Sequence, residues 1–330
     1  MKRLSLIGAP AIWRSRPRTA EIEIPKLLIG GHFEWELVHA RTGLIARRGR
    51  GPNMIVDQGL NFLGTNEVGT CMTYCGVGTG TTDTTADMVD LEAEVLRTNS
   101  AGGFAEEPGA AGDLSYTFFR RTRVFTQAQA NGNLSEVGML KSTGTNQLFC
   151  RQLIRDELGD PTVIVKTDEY ELRVTYEIRW YPPVGDTVYS MMLNGVATDV
   201  TTRPAMISGI GVFSGWYAGR TVYAGVNNAQ HVTLYSGALG ARTSRPAGTD
   251  VVASYSRDAY VNNSNQMVMR ASWGASVANT TVWQSIGTLL NGASTPGYLA
   301  FQHQPAGAGF SKNNTQRFDI VWTHTWDRAA

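Results

Sequence analysis

Between Tyr170 and Tyr181 the chain alternates without a break. Tyr170, Leu172, Val174, Tyr176, Ile178 and Trp180 fall on one side, Glu171, Arg173, Thr175, Glu177 and Arg179 on the other, and Pro182-Pro183 ends the run. A period of two held over this length specifies a long, half-buried strand, because a helix would scatter the large side chains around its circumference. A slip of one residue would expose six large apolar groups, so the pattern also fixes the register. Phe318, Ile320, Trp322, His324 and Trp326 repeat it near the C-terminus. Phe33, Trp35 and Leu37 alternate in the same way with His32, Glu34 and Glu36, and Thr42-Gly43 offers a turn into residues 44–47. Helical periodicity is confined to short stretches near 55–64 and 86–97. Charged residues make up 17% of the chain, below the usual ~25%, which disfavours long charge-laced helices. With 36 glycines for turns and 42% hydrophobic residues for cores, the composition fits an all-β protein.

Four segments recur in the same order. MTYCGVGTGTT (72–82) matches VTLYSGALGART (232–243), with Tyr74 on Tyr235, and RVFTQAQANGNLSEVGML (123–140) matches RASWGASVANTTVWQSIGTL (270–289). LFCRQLI (148–154) then pairs with LAFQHQP (299–305), and strand 170–181 with 317–328. Collinear matches of this kind point to an internal duplication. The expected organisation is therefore two β-sandwich-like domains, 27–190 and 191–330. An extended basic arm, 1–26, precedes them. The arm mixes four Arg and two Lys with Pro10, Pro17 and Pro25, which break any long regular element. Either a neighbouring subunit or its own domain is expected to hold it. Its start resembles a signal peptide, but Arg14, Arg16 and Arg18 stand where a small-residue cleavage site belongs, so secretion is not expected. No run reaches the length of a membrane span, and no membrane insertion is expected.

Local chemistry is sparse. Gly76-Val77-Gly78-Thr79-Gly80 resembles a phosphate cradle, but Thr81, Thr82 and Asp83 follow it where a P-loop needs lysine. A turn-rich loop is the better reading. Cys71 and Cys75 lack the second Cys/His cluster of a zinc site, and three cysteines suit free thiols rather than a disulfide framework. Asp83, Asp87, Asp90, Glu92 and Glu94 lack the glycine of a calcium loop. His32, His39, His231, His303 and His324 are dispersed; His39 and His324 extend apolar strand faces, as core or interface histidines do. There is no GxSxG elbow and no locally paired carboxylates. Catalytic, cofactor and metal residues are all expected to be none. The basic groups Arg41, Arg47, Arg48, Arg50 and Arg120, Arg121, Arg123 are short, and the net charge is +1. No nucleic-acid partner is expected.

One ordered set of segments does resemble a known class. GPNMIVDQGLNFLG (51–64), CGVGTGTT (75–82), LSEVGM (134–139), LFCRQLI (148–154) and VIVKTDEYELRVTYEIRWYPP (163–183) resemble structural proteins of tailed bacteriophages. In those an N-x-I/V-x-x-x-G-L segment leads to a VGTG loop, an EVG strand, an LFxR strand and an extended D-E-x-L-x-V-x-Y strand. The resemblance implies a non-enzymatic virion subunit, tail-associated (fibre, tip or attachment collar). Its partners would be copies of itself and other virion proteins, and it would be assembled in the host cytoplasm. It carries over no catalytic or ligand-binding residue. Trp13, Arg14, Arg16 and Arg18 are the assembly residues expected from the arm. The alternatives are a head-attached decoration protein and a receptor- or glycan-binding module using Trp216, Tyr217, Tyr223, Tyr235, Trp273 and Trp283 on a host-surface glycan. A glycan or peptidoglycan hydrolase is the enzyme alternative.

Overall fold

The structure, a computed structural model, describes residues 18–329 except Glu67, Gly112, Leu114, Asn194 and the stretches 206–231 and 290–298. β1 (Arg18–Ile22) comes first. A first repeat follows: β2 (Leu27–His39), β3 (Ile45–Ile55), α1 (Asp57–Phe62), α2 (Val68–Cys71), β4 (Tyr74–Gly78), β5 (Glu94–Thr98), β6 (Glu107–Ala110) and β7 (Thr117–Phe125). It continues with β8 (Gly132–Leu134), β9 (Glu136–Leu140), β10 (Leu148–Leu153), β11 (Ile164–Lys166) and β12 (Tyr170–Tyr181). The second repeat has β13 (Thr187–Leu193), β14 (Val196–Pro204), β15 (Val232–Tyr235), β16 (Asp250–Val252) and β17 (Ser254–Arg257). It ends with β18 (Gln266–Trp273), β19 (Ser285–Leu289), β20 (Leu299–Pro305) and β21 (Phe318–Arg328). The chain is all-β. The helix expected near 86–97 is a loop running into β5, because Asp90 and Glu92 turn aside to accept hydrogen bonds from the amides of Asn146 and Thr82.

Each repeat is built from the same antiparallel ladders. In the first, β6-β7-β12-β2-β3 run side by side, and β3 bends over to continue as β3-β10-β9-β4-β5. In the second, β17-β18-β21 form one layer and β13-β14-β20-β19-β15-β16 the other. Substituting β13 for β2, β14 for β3 and so on to β21 for β12 reproduces every pairing but two, the first being the β8–β11 ladder, which has no strand counterpart among the described residues of the second repeat. Where β12 pairs with β2, the matching edge of β21 is taken by β1, running parallel from Arg18 opposite Phe318 to Ile22 opposite Trp322. The first residues of β2 continue along β21 (Leu27 opposite Trp326) while Leu28 also faces Tyr181 of β12. The two repeats therefore share one continuous sheet.

Of the expected arm, residues 18–22 form β1 beside β21, with Ala20 and Ile22 buried on its inner side. This short period-two pattern is hidden among prolines and arginines. The boundary at 190 falls inside β13, which begins the second repeat at Thr187.

Registers match as well as order. Leu172 lies opposite Phe125, and Phe318 opposite Trp273; eight residues further along each long strand come Trp180 and Trp326, both buried. Leu172, Val174, Tyr176 and Ile178 face the core between the layers, where the Tyr176 ring meets Phe149 of β10 edge-on. The turn after β7 and its counterpart after β18 place alanine in the left-handed region at the same point, Ala130 at φ 51° and Ala278 at φ 61°. Each turn is closed by a buried lysine. Lys166 donates to the carbonyl of Gln127 and to Asn131 Oδ1, and Lys312 donates to the carbonyl of Ala275 and to Asn279 Oδ1. Both β9 and β19 shift register against their neighbours at matching positions. One expected match was wrong: Tyr235 occupies the place of Gly78, not of Tyr74, since they face Ser285 and Glu136.

The lysine closure gives a first expected result. Lys166→Met keeps the apolar stem but leaves Asn131 Oδ1 and the Gln127 carbonyl without their donor. Unfolding free energy from urea titration should fall by about 1–3 kcal/mol, and Lys312→Met should act in the same direction. No loss in either variant would show that the turns hold without an internal cation.

Candidate functional site

The glycine string at 76–80 holds an anion, and the anion is the protein's own. Glu136, first residue of β9, points its carboxylate into the loop that β4 feeds. Oε1 accepts from the amides of Gly80 (3.1 Å) and Ala93 (2.7 Å), and Oε2 from the amide of Glu92 (3.1 Å) and from Arg151 Nε (2.7 Å). A Cβ on Gly80 would stand 2.6 Å from that carboxylate, and one on Gly78 would meet both it and the Ala93 carbonyl. Glycine is needed here for close approach. Arg151, on β10, completes the arrangement by donating to the Thr82 carbonyl, Thr84 Oγ1 and Glu92. Both side chains are fully buried. In the second repeat Ser285 and Gln302 take these positions and do the same job uncharged. Ser285 Oγ donates to the Gly237 carbonyl, while Gln302 accepts from Gly240 and donates to Ala241 and Ser244.

Several other residues singled out in the sequence are also engaged internally. Cys71, Cys75 and Cys150 are buried free thiols. Burial pushes Cys71 and Cys150 up to about 12, and raises Cys75 with help from Cys150. Such thiols are poor nucleophiles. In the acidic stretch, Asp87 accepts from Thr85 and Glu94 holds Arg97. No group of three His, Cys, Asp or Glu side chains able to hold a metal occurs among the described residues, and no helix among them is long and apolar enough to cross a membrane.

The histidines divide. His39 is not a core residue: its Nδ1 accepts from the amides of Arg41 and Thr42 and shapes the hairpin turn. His303 and His324 are buried in the second repeat, the first between Thr202 and Thr288, the second accepting from Trp322 Nε1. Arg47 and Arg48 are bound to the 157–163 segment through Thr162, the Val163 carbonyl and Glu157.

Of the expected assembly residues, Trp13, Arg14 and Arg16 lie outside the described residues, as do Trp216, Tyr217, Tyr223 and His231. Arg18 begins β1, its backbone paired with Phe318. Tyr235, Trp273 and Trp283 are buried in the core, so they line no open groove. The surface feature that alternation alone did not single out lies on the β13–β14 hairpin. On the outer face of the first repeat Glu34 faces Arg50 and Glu36 faces Arg48. The matching pairs of the second repeat are Ser190 with Asp199 and Met192 with Ala197. Val188 (66% exposed) and Met192 (57%) stand open on that outer face beside Ser190 and the exposed Asp199, while Val196 (64%) pairs with Leu193 at the turn and Val184 (83%) lies ahead of the hairpin. The signal was present in the sequence as a strand, VYSMM, without a charge on its outer positions.

The chain matches no family model, no curated protein and no solved structure.

Proposed function

We propose that the chain is a non-enzymatic structural subunit of a tailed-phage virion, tail-associated, that works by oligomeric assembly with copies of itself and other virion proteins. One observation carries the assembly part. At matching positions of two otherwise equivalent hairpins, Glu36 stands opposite Arg48 in the first repeat and Met192 opposite Ala197 in the second, with Met192 and nearby Val188 exposed on the outer face. An apolar surface of this kind costs solubility unless a partner covers it. The resemblance of residues 51–183 to virion proteins supports the setting. The internal use of the loop carboxylates, thiols and buried histidines supports a structural rather than a chemical role.

The expected result is that the purified chain sediments as an oligomer. Met192→Glu with Val188→Glu should shift it to smaller species while leaving the circular-dichroism spectrum unchanged, since both side chains point outward. Incorporation into particles should fall in parallel. A chain that stays monomeric at every concentration tested, and that mass spectrometry does not find in purified particles, would overturn the reading.

A further inference from the structure

Most buried charges among the described residues come with partners. Glu136 and Arg151 hold each other, Glu177 takes Arg120 and Arg179, and Lys166 and Lys312 each have an asparagine oxygen and a carbonyl. Arg123 on β7 departs from this pattern. It is buried, yet among the described residues its only hydrogen bonds are Nε to the Thr73 carbonyl (2.9 Å) and Nη1 to the Thr122 carbonyl (3.3 Å). Its Nη2 has no protein acceptor and is not sealed from solvent. Arg121, two residues earlier on the same inward face, donates through Nη1 to the carbonyls of Gly69 and Met72 and through Nη2 to Glu106. Its Nε is buried without a partner. Two buried guanidinium groups thus share one half-exposed carboxylate, leaving one positive charge uncompensated.

A buried charge lacking its counter-ion is costly, and a guanidinium is shaped to hold a planar or tetrahedral oxyanion through two N–H groups. We propose that Arg123, with Arg121 beside it, forms a binding site for a single oxyanion, a phosphate or carboxylate group, where β7 passes α2 and the start of β4. Burial, and after it the Arg121 charge, hold the Arg123 guanidinium down to about 10. An incoming anion relieves both. The site is one anionic group wide. Arg120 points to the opposite face, tied to Glu107 and Glu177, so the three arginines of this strand do not converge on a polyanion. The oxyanion can come from solution or from an acidic side chain of a second copy.

The test uses the full chain at constant ionic strength, titrated with inorganic phosphate and with acetate. It follows the Arg123 Nε–H resonance by NMR and the thermal midpoint. A saturable shift of that resonance and a rise in midpoint, both lost in Arg123→Met, are expected for an anion taken from solution. If the anion belongs to a second copy, Arg123→Met should weaken self-association at least tenfold, and phosphate should compete with self-association in the wild type only. Should Arg123→Met fail to fold, Arg123→Lys and the wild-type resonance still decide the matter. A resonance indifferent to both anions together with sedimentation indifferent to anion and substitution overturns the proposal, as does a response equal in wild type and variant.

Discussion

Glu136→Ala should cost about 3–5 kcal/mol of folding free energy, the range for removing one partner of a buried ion pair. Against a total of about 5–15 kcal/mol for a typical domain, that loss removes a large share of the stability margin. Two effects add. Arg151, fully buried, loses the carboxylate at its Nε and keeps only Glu92 and two oxygen acceptors on the loop. The amides of Gly80, Glu92 and Ala93 lose their common acceptor, so the 79–93 loop loses its anchor. Adding Arg151→Met to Glu136→Ala should recover part of the stability by removing the stranded charge, though not all, because the amides stay unsatisfied. The second repeat supplies the control. Ser285→Ala, at the matching position, removes one hydrogen bond to Gly237 and should cost only about 1 kcal/mol. Urea unfolding of the wild type and these three variants measures all of this. Equal costs for Glu136→Ala and Ser285→Ala would mean that the buried pair is not what holds the loop.

That pair also marks where sequence reasoning stops. The long strands were legible because a period of two with large side chains leaves one solution, and Tyr170–Tyr181 and Phe318–Arg328 form as read. The duplication was legible in four segments, and Val137-Gly138 and Ile286-Gly287 do fall on matching strands. Tyr74 was set against Tyr235 because identical side chains attract an alignment, whereas backbone pairing places Tyr235 opposite Ser285 and Gly78 opposite Glu136. The role of Glu136 was not legible at all. It lies 43 to 56 residues beyond the loop amides it binds, and nothing local distinguishes a carboxylate that will be buried from one that will be solvated. β1 was missed for a similar reason: its partner, β21, lies three hundred residues away, and two inward side chains are too few to announce a strand.

Acid should weaken the protein well above the range where carboxylates titrate, and two histidines of the second repeat are the cause. Burial holds His324 down to about 3, and burial followed by the His324 charge does the same to His303. What faces them is neutral. His303 lies between the Thr202 and Thr288 hydroxyls, near Phe301, and His324 sits beside Trp322 with Met267 opposite on β18. Among the described residues no carboxylate is there to receive a proton's charge.

The sign follows from linkage. Unfolded histidine takes up a proton near 6.5 and the folded groups do not until about 3, so the unfolded state binds more protons throughout that window. Stability is complete above 6.5 and is lost as pH falls through the window. Two such groups give a slope of about 2.7 kcal/mol per pH unit, or about 5 kcal/mol between pH 6.5 and 4.5. The half-buried His32 on the outer face of β2, also lowered by burial and then by Arg179, adds a smaller effect of the same sign. Asp186, Asp258 and Asp327, held down chiefly by Arg203, by Arg270 and by the Arg328 amide respectively, add their own loss only at lower pH. The clean measurement is therefore unfolding free energy between pH 7 and 4.5. His303→Gln, which can still bond both threonines, should remove about half of the slope, and His303→Gln with His324→Gln should leave it nearly flat whatever each substitution does to stability at pH 8. A wild-type chain equally stable at pH 7 and 4.5, or a slope untouched by both substitutions, would show that these two rings are not the acid-sensitive groups.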